Sequence, residues 1–357
     1  MAEHAPFPPG LSPVRGKPVH VTFDGGRLTS DAGVLLLAEI ERRLKLAERL
    51  ARRLTDPRSP DRIVLDIDDT CDPAHGGQQL ALFHAHYGER CFLPIHVYEA
   101  TTGKPVAVIL RPGKTPDGAE VMLVLRHVIG AIRRRWPRVD VLVRGDSHYG
   151  RPEAMAWCER ERVAYVFGLA GNKVLLARVA ALAEAVALER AEGGADKVRR
   201  HAEFSYAAET WAAERRVVAR VEASDKGTDS RFAVTSLAGT PRWLYEVAYC
   251  ARGQAENLVK AHKRHLASDR TSCSKATANQ FRLVLHTAAY WLLHTLRGLA
   301  PKRSFWREAQ FDTIRLALIK VAGRVTELAT RIKVALPSGY PERDSLVLLA
   351  TRAARPP

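Results

Sequence analysis

The spacing of hydrophobic positions changes several times along the chain, and each change predicts an element. "VHVTFDGG" reads as a short strand closed by Gly25 and Gly26. Thr29 and Ser30 can cap a helix, "DAGVLLLAEIERRLKLAERLARRL", whose Leu35, Leu36, Ile40 and Leu44 recur at helical spacing. "TDPRSPDR" ends it. Ile63 to Asp68 is then a short apolar run suited to a buried strand, and "RCFLPIHVYEA" and "KPVAVILRPG" are two more, joined by the turn signal "TTG". "DGAEVMLVLRHVIGAIRRRW" predicts a helix with a stripe of Val121, Leu125, Val128 and Ile132, its basic residues gathered where the helix dipole favours them. "VDVLVRGD" is a strand, "RPEAMAWCERER" a helix and "VAYVFGLA" a fifth strand.

This order, three strands and then helix, strand, helix, strand, predicts a mixed sheet covered by helices, an α/β layer architecture in the order of an RNase H-like fold. From Asn172 to about Trp243 the character shifts. An alanine-rich helix, Val174 to Arg190, leads into the strand-like runs "FSYAAETW", "RRVVARVEA" and "RFAVTSL", the last two separated by the turn-rich "SDKGTDS". Beyond it the pattern is helical to the end. The expected divisions are an N-terminal helical segment (1–61), a catalytic α/β domain (62–171 and 244–300), a β-rich insertion (172–243) and a basic helical segment (301–357).

Composition narrows the function. The chain of 357 residues is long enough for a real core, and its formal net charge is +16. The residues from Ala251 to Pro357 hold 19 Lys and Arg against 7 Asp and Glu, so 12 of the 16 surplus charges lie in the C-terminal third. Such an excess favours a polyanionic partner, and nucleic acid is the default. Five scattered cysteines (Cys71, Cys91, Cys158, Cys250, Cys273) form no C-x-x-C pair, which argues against a structural zinc and fits a reducing compartment. No secretory leader is expected from "MAEHAPFPPG". The most apolar run, "LVLHTAAYWLLHTL", is interrupted by His286 and His294 and reads as a buried helix; no membrane span is expected.

The candidate chemistry starts at "IVLDIDDTCD", four aspartates within seven positions. On a strand, Leu65 and Ile67 point one way and Asp66 and Asp68 the other. Two carboxylates on one face at a strand end can bind a hard divalent cation, while Asp69 and Asp72 shape the following turn. Asp146 ends a second predicted strand, again where sites in open α/β sheets gather. A third cluster lies in "YCARGQAENLVKAHK": Tyr249, Arg252, Glu256 and Lys263 stand at offsets 0, 3, 7 and 14. On a regular helix they fall within an arc of about 60°, with Lys260 near the same face. A carboxylate flanked by cations can bind metal and phosphodiester together.

Two resemblances follow. The D-x-D-x-T of Asp66, Asp68 and Thr70 is similar to the first motif of haloacid-dehalogenase-type phosphatases, with Asp66 as nucleophile. The spacing Y-(2)-R-(3)-E-(6)-K matches a signature of DDE transposases of bacterial insertion sequences. "LDIDDTCDPAHGGQQ", "FLPIHVY", "RGDSHYGRPEAMAWCE", "YVFGLAGN" and "ASDRTS" resemble the group 1 DDE transposases, the insertion-sequence 1380 type, over almost the whole chain.

The second resemblance implies an RNase H-like domain with a β-rich insertion before the Glu-bearing helix, and a triad of Asp68, Asp146 and Glu256. Asp66 is the reserve for Asp68 and a further metal ligand. It also implies two Mg²⁺ ions, with Mn²⁺ as substitute, and Tyr249, Arg252, Lys260 and Lys263 on DNA. The implied partners are terminal inverted repeats, target DNA and a second copy of the chain, in a cytoplasmic, nucleoid-associated protein. The chain departs from the family at one place: "LTDPRSPDR" runs almost directly into "IVLDIDDT", where the family has a long helical region. A DNA-binding remnant without strand transfer is therefore the alternative.

Overall fold

The computed structural model describes residues 13, 16–22 and 60–354. The helix expected over residues 31–54, with its caps Thr29 and Ser30, lies outside the described residues. The chain divides into two compact units, one of Pro57–Lys260 with Asp269–Leu283, the other of Met1–Asp56, Ala261–Ser268 and Val284–Pro357.

Strand β1 (Val19–Thr22) belongs to the second unit. The first unit is built on the strands that the apolar runs predict. Strand β2 is Arg62–Asp69, β3 is Asp72–Pro73, β4 is Leu82–His84, β5 is Glu89–Phe92, β6 is Ile95–Glu99 and β7 is Lys104–Ile109. Helix α1 (Gly118–Arg135) follows, then β8 (Asp140–Gly145), α2 (Pro152–Arg160) and β9 (Ala164–Leu169). Helix α1 starts where Asp117 accepts a hydrogen bond from the backbone N–H of Glu120, an N-cap. Strand β2 pairs antiparallel with β6 and parallel with β8; β6 pairs antiparallel with β7, and β8 parallel with β9. A meander of three strands followed by two parallel strands with crossover helices is the expected RNase H-like arrangement.

Helices α3 (Lys173–Arg178) and α4 (Ala180–Gly193) replace the single alanine-rich helix of the sequence reading. Strands β10 (Val198–Tyr206), β11 (Arg215–Ser224) and β12 (Gly227–Thr235) then run antiparallel, and β12 pairs with β9. One eight-stranded sheet results, in the order β10-β11-β12-β9-β8-β2-β6-β7. The segment 172–243 thus continues the main sheet. Its first strand begins six residues before "FSYAAETW", because "VRRH" pairs with β11 despite its charge.

The two faces of the sheet are covered differently. Ile63, Leu65 and Ile67 of β2 join Val141 and Val143 of β8 under Val121, Leu125 and Val128 of α1 and Met155 of α2, and Val186 of α4 extends this core over β11. On the opposite face Val166, Val218 and Ala233 pack against Leu244 and Tyr245. Those two residues open a helical run of changing pitch: Leu244–Tyr249 is π, Cys250–Gly253 is 3₁₀, and Gln254–Lys260, α5, is regular.

Strand β5 bridges β3 and β4 in a small separate sheet, so "RCFLPIHVYEA" is two strands, broken at Leu93–Pro94. Helix α6 (Ala276–Leu299) begins in this unit, where Gln280 donates to Val108 O (3.0 Å) and accepts from Leu110 N (2.7 Å), closing edge strand β7. In the second unit β13 (Arg324–Glu327) and β14 (Ile332–Ala335) form a hairpin that adds parallel to β1, before α7 (Arg343–Ala354). The expectation of helix to the C-terminus is corrected here. Strand β13 is exposed along its whole length, so it lacks the apolar signal that marks a strand. Among the described residues no helix is long and apolar enough to cross a membrane.

Gly113 lies beneath the small sheet, where a Cβ would run into Cys91 O and lie 2.8 Å from Leu82 O. Gly113→Ala is expected to cost about 1–3 kcal/mol, since backbone must move to admit the methyl; urea denaturation measures it.

Candidate functional site

Two neighbouring strands carry the site. The parallel register sets Asp66 beside Arg144 and Ile67 beside Gly145, where the pairing ends; Asp68 and Asp146 follow directly, at the adjoining carboxyl ends of the two strands. Alternation puts Asp66 and Asp68 on the face opposite Leu65 and Ile67, the face that the π, 3₁₀ and α5 run covers.

The four aspartates of the "IVLDIDDTCD" stretch have different neighbours. Asp66 is 1% exposed, and Arg144 donates to both of its oxygens, Nε at 2.6 Å and Nη2 at 2.8 Å. Arg144 Nη1 also reaches the carbonyl of Ala248 (3.3 Å), tying the sheet to the helical run. Asp69 was expected in a turn; it instead ends β2 and accepts from His148 Nδ1 (3.0 Å) and from the Tyr149 hydroxyl (3.1 Å). Asp72 lies buried in β3. Only Thr70 and Cys71 separate β2 from β3, so both aspartates belong to strands.

Asp68 faces the interior of the site. Burial pushes its carboxyl up to about 7; Asp146 and Asp69 add to the rise, and the positive charge of Arg252 opposes it. Asp146 accepts from the His148 backbone N–H (2.9 Å), which fixes the turn after β8. His148 is raised above the usual histidine range, first by its hydrogen bond to Asp69, against the effect of its own burial.

Tyr249 and Arg252 approach these carboxylates from the helical side. Gly168 of β9 makes room: a Cβ there would lie 2.6 Å from the Tyr249 hydroxyl, 2.9 Å from Ser147 N and 3.1 Å from Asp146 C. The Arg252 guanidinium lies 5.9 Å from the Tyr249 ring, an edge-of-range cation–π contact, and 3.7 Å from Glu256. Its side chain is 14% exposed, and Nε is buried with no hydrogen-bond partner among the described residues. Burial alone would lower this guanidinium, yet Asp68, Tyr249, Asp146 and Glu256 together hold it above its ordinary value. In this structure Arg252 is the cation that offsets the carboxylates.

Glu256 stands apart. Its side chain is 70% exposed, on the outer side of Arg252. Lys260 is exposed at the end of α5, and Lys263 follows in the π turn Ala261–His265, which belongs to the other unit. The arc of about 60° assumed a uniform helix; π and 3₁₀ turns replace it, so the four residues do not share one regular face.

Among the described residues no three His, Cys, Asp or Glu side chains come close enough to hold a metal ion. The donor chemistry does suit a hard divalent cation at two carboxylates, Asp68 and Asp146, whose charges act on one another, with Glu256 outside them. The sequence reading passed over Arg144, His148 and Tyr149. Arg144 was detectable as a charge directly after the apolar run Val141–Val143 within the predicted strand "VDVLVRGD", a residue that a buried strand tolerates only with a partner.

Comparison with known proteins identifies a family. The family model described as "Transposase DDE domain group 1" matches residues 11–64 and 57–356. A solved structure, the cryo-EM structure of piggyBac transposase synaptic complex with hairpin DNA, is similar with a TM-score of 0.41 and 9% identity, over 73% of this chain. The chain covers 53%, about half, of that protein's chain. No curated protein matches.

Two measurements probe the site. Arg144→Met alone leaves Asp66 as a buried unpaired charge and is expected to cost about 3–5 kcal/mol, whereas adding Asp66→Leu should recover most of it; chemical denaturation of the single and double variants decides. Asp68 gives a pH signature. Its unfolded carboxyl titrates near ~3.9, and its folded one at about 7. The folded state therefore loses stability as pH rises between those values, and above the upper one the loss is constant. Without divalent cations, Asp68→Asn should raise the melting temperature at pH 8, and the gap should close by about pH 4.

Proposed function

The chain belongs to the group 1 family of transposase DDE domains, and we propose that it cuts DNA at the ends of an insertion sequence and joins the freed 3′-OH to target DNA. Its triad in this reading is Asp68, Asp146 and Glu256. The observation that carries the reading is the meeting of two aspartates at the adjoining carboxyl ends of paired strands with the helical run that bears Tyr249, Arg252 and Glu256.

Divalent cations, Mg²⁺ or Mn²⁺, would when bound neutralise phosphodiester charge and make water a better nucleophile. Asp68 and Asp146 would hold them, joined by Glu256 once it turns inward from its exposed position. Asp66 is left out of this set because Arg144 occupies both of its oxygens; its role is to hold Arg144. Arg252 has a second task. Displaced from the carboxylates, its planar guanidinium would grip a phosphate oxygen pair beside the cut. Tyr249, fixed against Gly168, would pack on the adjoining sugar, and Lys260 and Lys263 would hold phosphates farther along.

In the first step water oxygen bonds to phosphorus, the bond from phosphorus to the 3′ oxygen breaks, and that oxygen takes a proton. In the second the 3′-OH attacks a target phosphodiester, which releases the target's own 3′ oxygen. No covalent bond to the protein forms. The basic C-terminal third supplies salt-sensitive affinity for the backbone, and two ends require two copies of the chain.

One observation favours a second reading, a DNA-binding remnant. The family match comes in two pieces that overlap at residues 57–64, where "LTDPRSPDR" meets "IVLDIDDT" and the resemblance implies a longer helical region. The phosphatase reading is not retained, because its nucleophile would be Asp66, which is sealed by Arg144.

Nicking of DNA that carries the element's terminal repeats, with Mg²⁺ or Mn²⁺, tests the proposal. Glu256→Gln and Asp68→Asn should each slow it at least about a hundredfold, for the loss of several kcal/mol of charge stabilisation. Wild-type protein that binds this DNA in a salt-sensitive manner without nicking it would establish the remnant instead.

A further inference from the structure

The hairpin of β4 and β5, residues 82–92, takes no part in the chemistry above, yet it is anchored beside it. Cys71, two residues after Asp69, donates to Glu89 Oε1 (3.5 Å), and Ala74 N donates to Arg90 O (2.9 Å). Strand β3 pairs with β5 at Asp72–Phe92 and Pro73–Cys91. The charges of Asp69 and Asp68 both reach the Tyr87 phenol at the hairpin's turn.

Its outer surface is unusual for a short hairpin. Phe83 is 64% exposed and Tyr87 41%. Phe83 stands directly opposite Arg90 in the register, so ring and guanidinium share the face turned away from buried Cys91. Arg90 Nη2 is held on Ala81 O (2.7 Å). His84 and His86 each lie 4.9 Å, ring to ring, from Tyr87, which stiffens the tip. The chain enters the hairpin through Leu80 at φ 70°, a conformation that costs a leucine about 1 kcal/mol or more. The Phe83 ring, reached through a strained residue and 64% exposed, brings little internal packing in return.

We propose that this hairpin is a stacking site for an unpaired nucleobase of the DNA strand beside the carboxylate edge, with Phe83 as the platform and Arg90 on the adjacent phosphate. The inference rests on the reading of the chain as a DNA-cutting protein. Aromatic rings interleaved with Arg and His suit nucleic acid, since rings stack on base faces and cations meet the backbone. In a paired duplex the base faces are covered by their neighbours, so a ring standing out from a hairpin finds a free face only on an unpaired base.

The test uses the full chain and 2-aminopurine placed in the last bases of an oligonucleotide duplex, either fully paired or frayed by mismatches. Phe83 is exposed, so Phe83→Ala should keep the wild-type melting temperature. It should weaken binding to the frayed duplex about tenfold, abolish the stacking-induced fluorescence change, and leave binding to the paired duplex unaltered. Phe83→Trp should restore both. Equal binding by wild type and Phe83→Ala, or equal loss on both duplexes, overturns the proposal. So does a Phe83-dependent change in oligomeric state with unchanged DNA binding, which would make the hairpin a contact between copies. Neither readout needs cleavage. Phe83-dependent stacking without nicking would sink the cutting activity and leave the stacking site standing; nicking with no Phe83 dependence would do the reverse.

Discussion

Carboxylate repulsion governs the site, and Arg252 is its centre. Asp68 and Asp146 end adjoining parallel strands, and burial drives Asp68 toward neutrality. A guanidinium brought from the opposite layer relieves that repulsion without taking both acids into a closed ion pair: Nε keeps no hydrogen bond among the described residues. A closed bidentate pair does exist two residues away, between Asp66 and Arg144. The contrast separates two kinds of buried charge. One is fully satisfied and fastens the sheet to the helical run; the other is left in excess of acid, which is the state in which a divalent cation would be attracted.

The sheet makes this arrangement rigid. Three antiparallel strands and two parallel ones set the positions of Asp68 and Asp146, while β10, β11 and β12 extend the same hydrogen-bonded surface and give Leu244 and Tyr245 a floor of Val166, Val218 and Ala233. The helical run that starts on that floor does not keep a regular pitch. Its π and 3₁₀ turns bring Tyr249 against Gly168 and Arg252 over the aspartates, and leave Glu256 outside. Irregular pitch of this kind is concentrated at functional positions in helices. Here it separates the residue that neutralises the acids from the acid that would join them.

Much of this was legible in the chain. Apolar runs of strand length located β2, β6, β7, β8 and β9; in β6, β8 and β9 the signal is continuous because these strands are buried on both faces. Alternation told Asp66 and Asp68 from Leu65 and Ile67, and spacing singled out Tyr249, Arg252 and Glu256. Of the elements that escaped, β4 and β13 are short and exposed, so no apolar period marks them.

Sequence by itself determined the order of β2, β6, β7, α1, β8, α2 and β9, the surplus of positive charge and the residues of the Y-R-E-K spacing, since these follow from local pattern and count. Tertiary structure alone decided how the acids divide. Asp66 and Asp68 look equivalent on one strand face, and only the register with β8 sets Arg144 beside the first and Asp146 beyond the second. Asp69 reads as a turn residue until His148 and Tyr149, 79 and 80 positions away, close on it. Partners so distant in sequence are chosen by strand pairing, and strand pairing is a property of the folded sheet that no local period encodes.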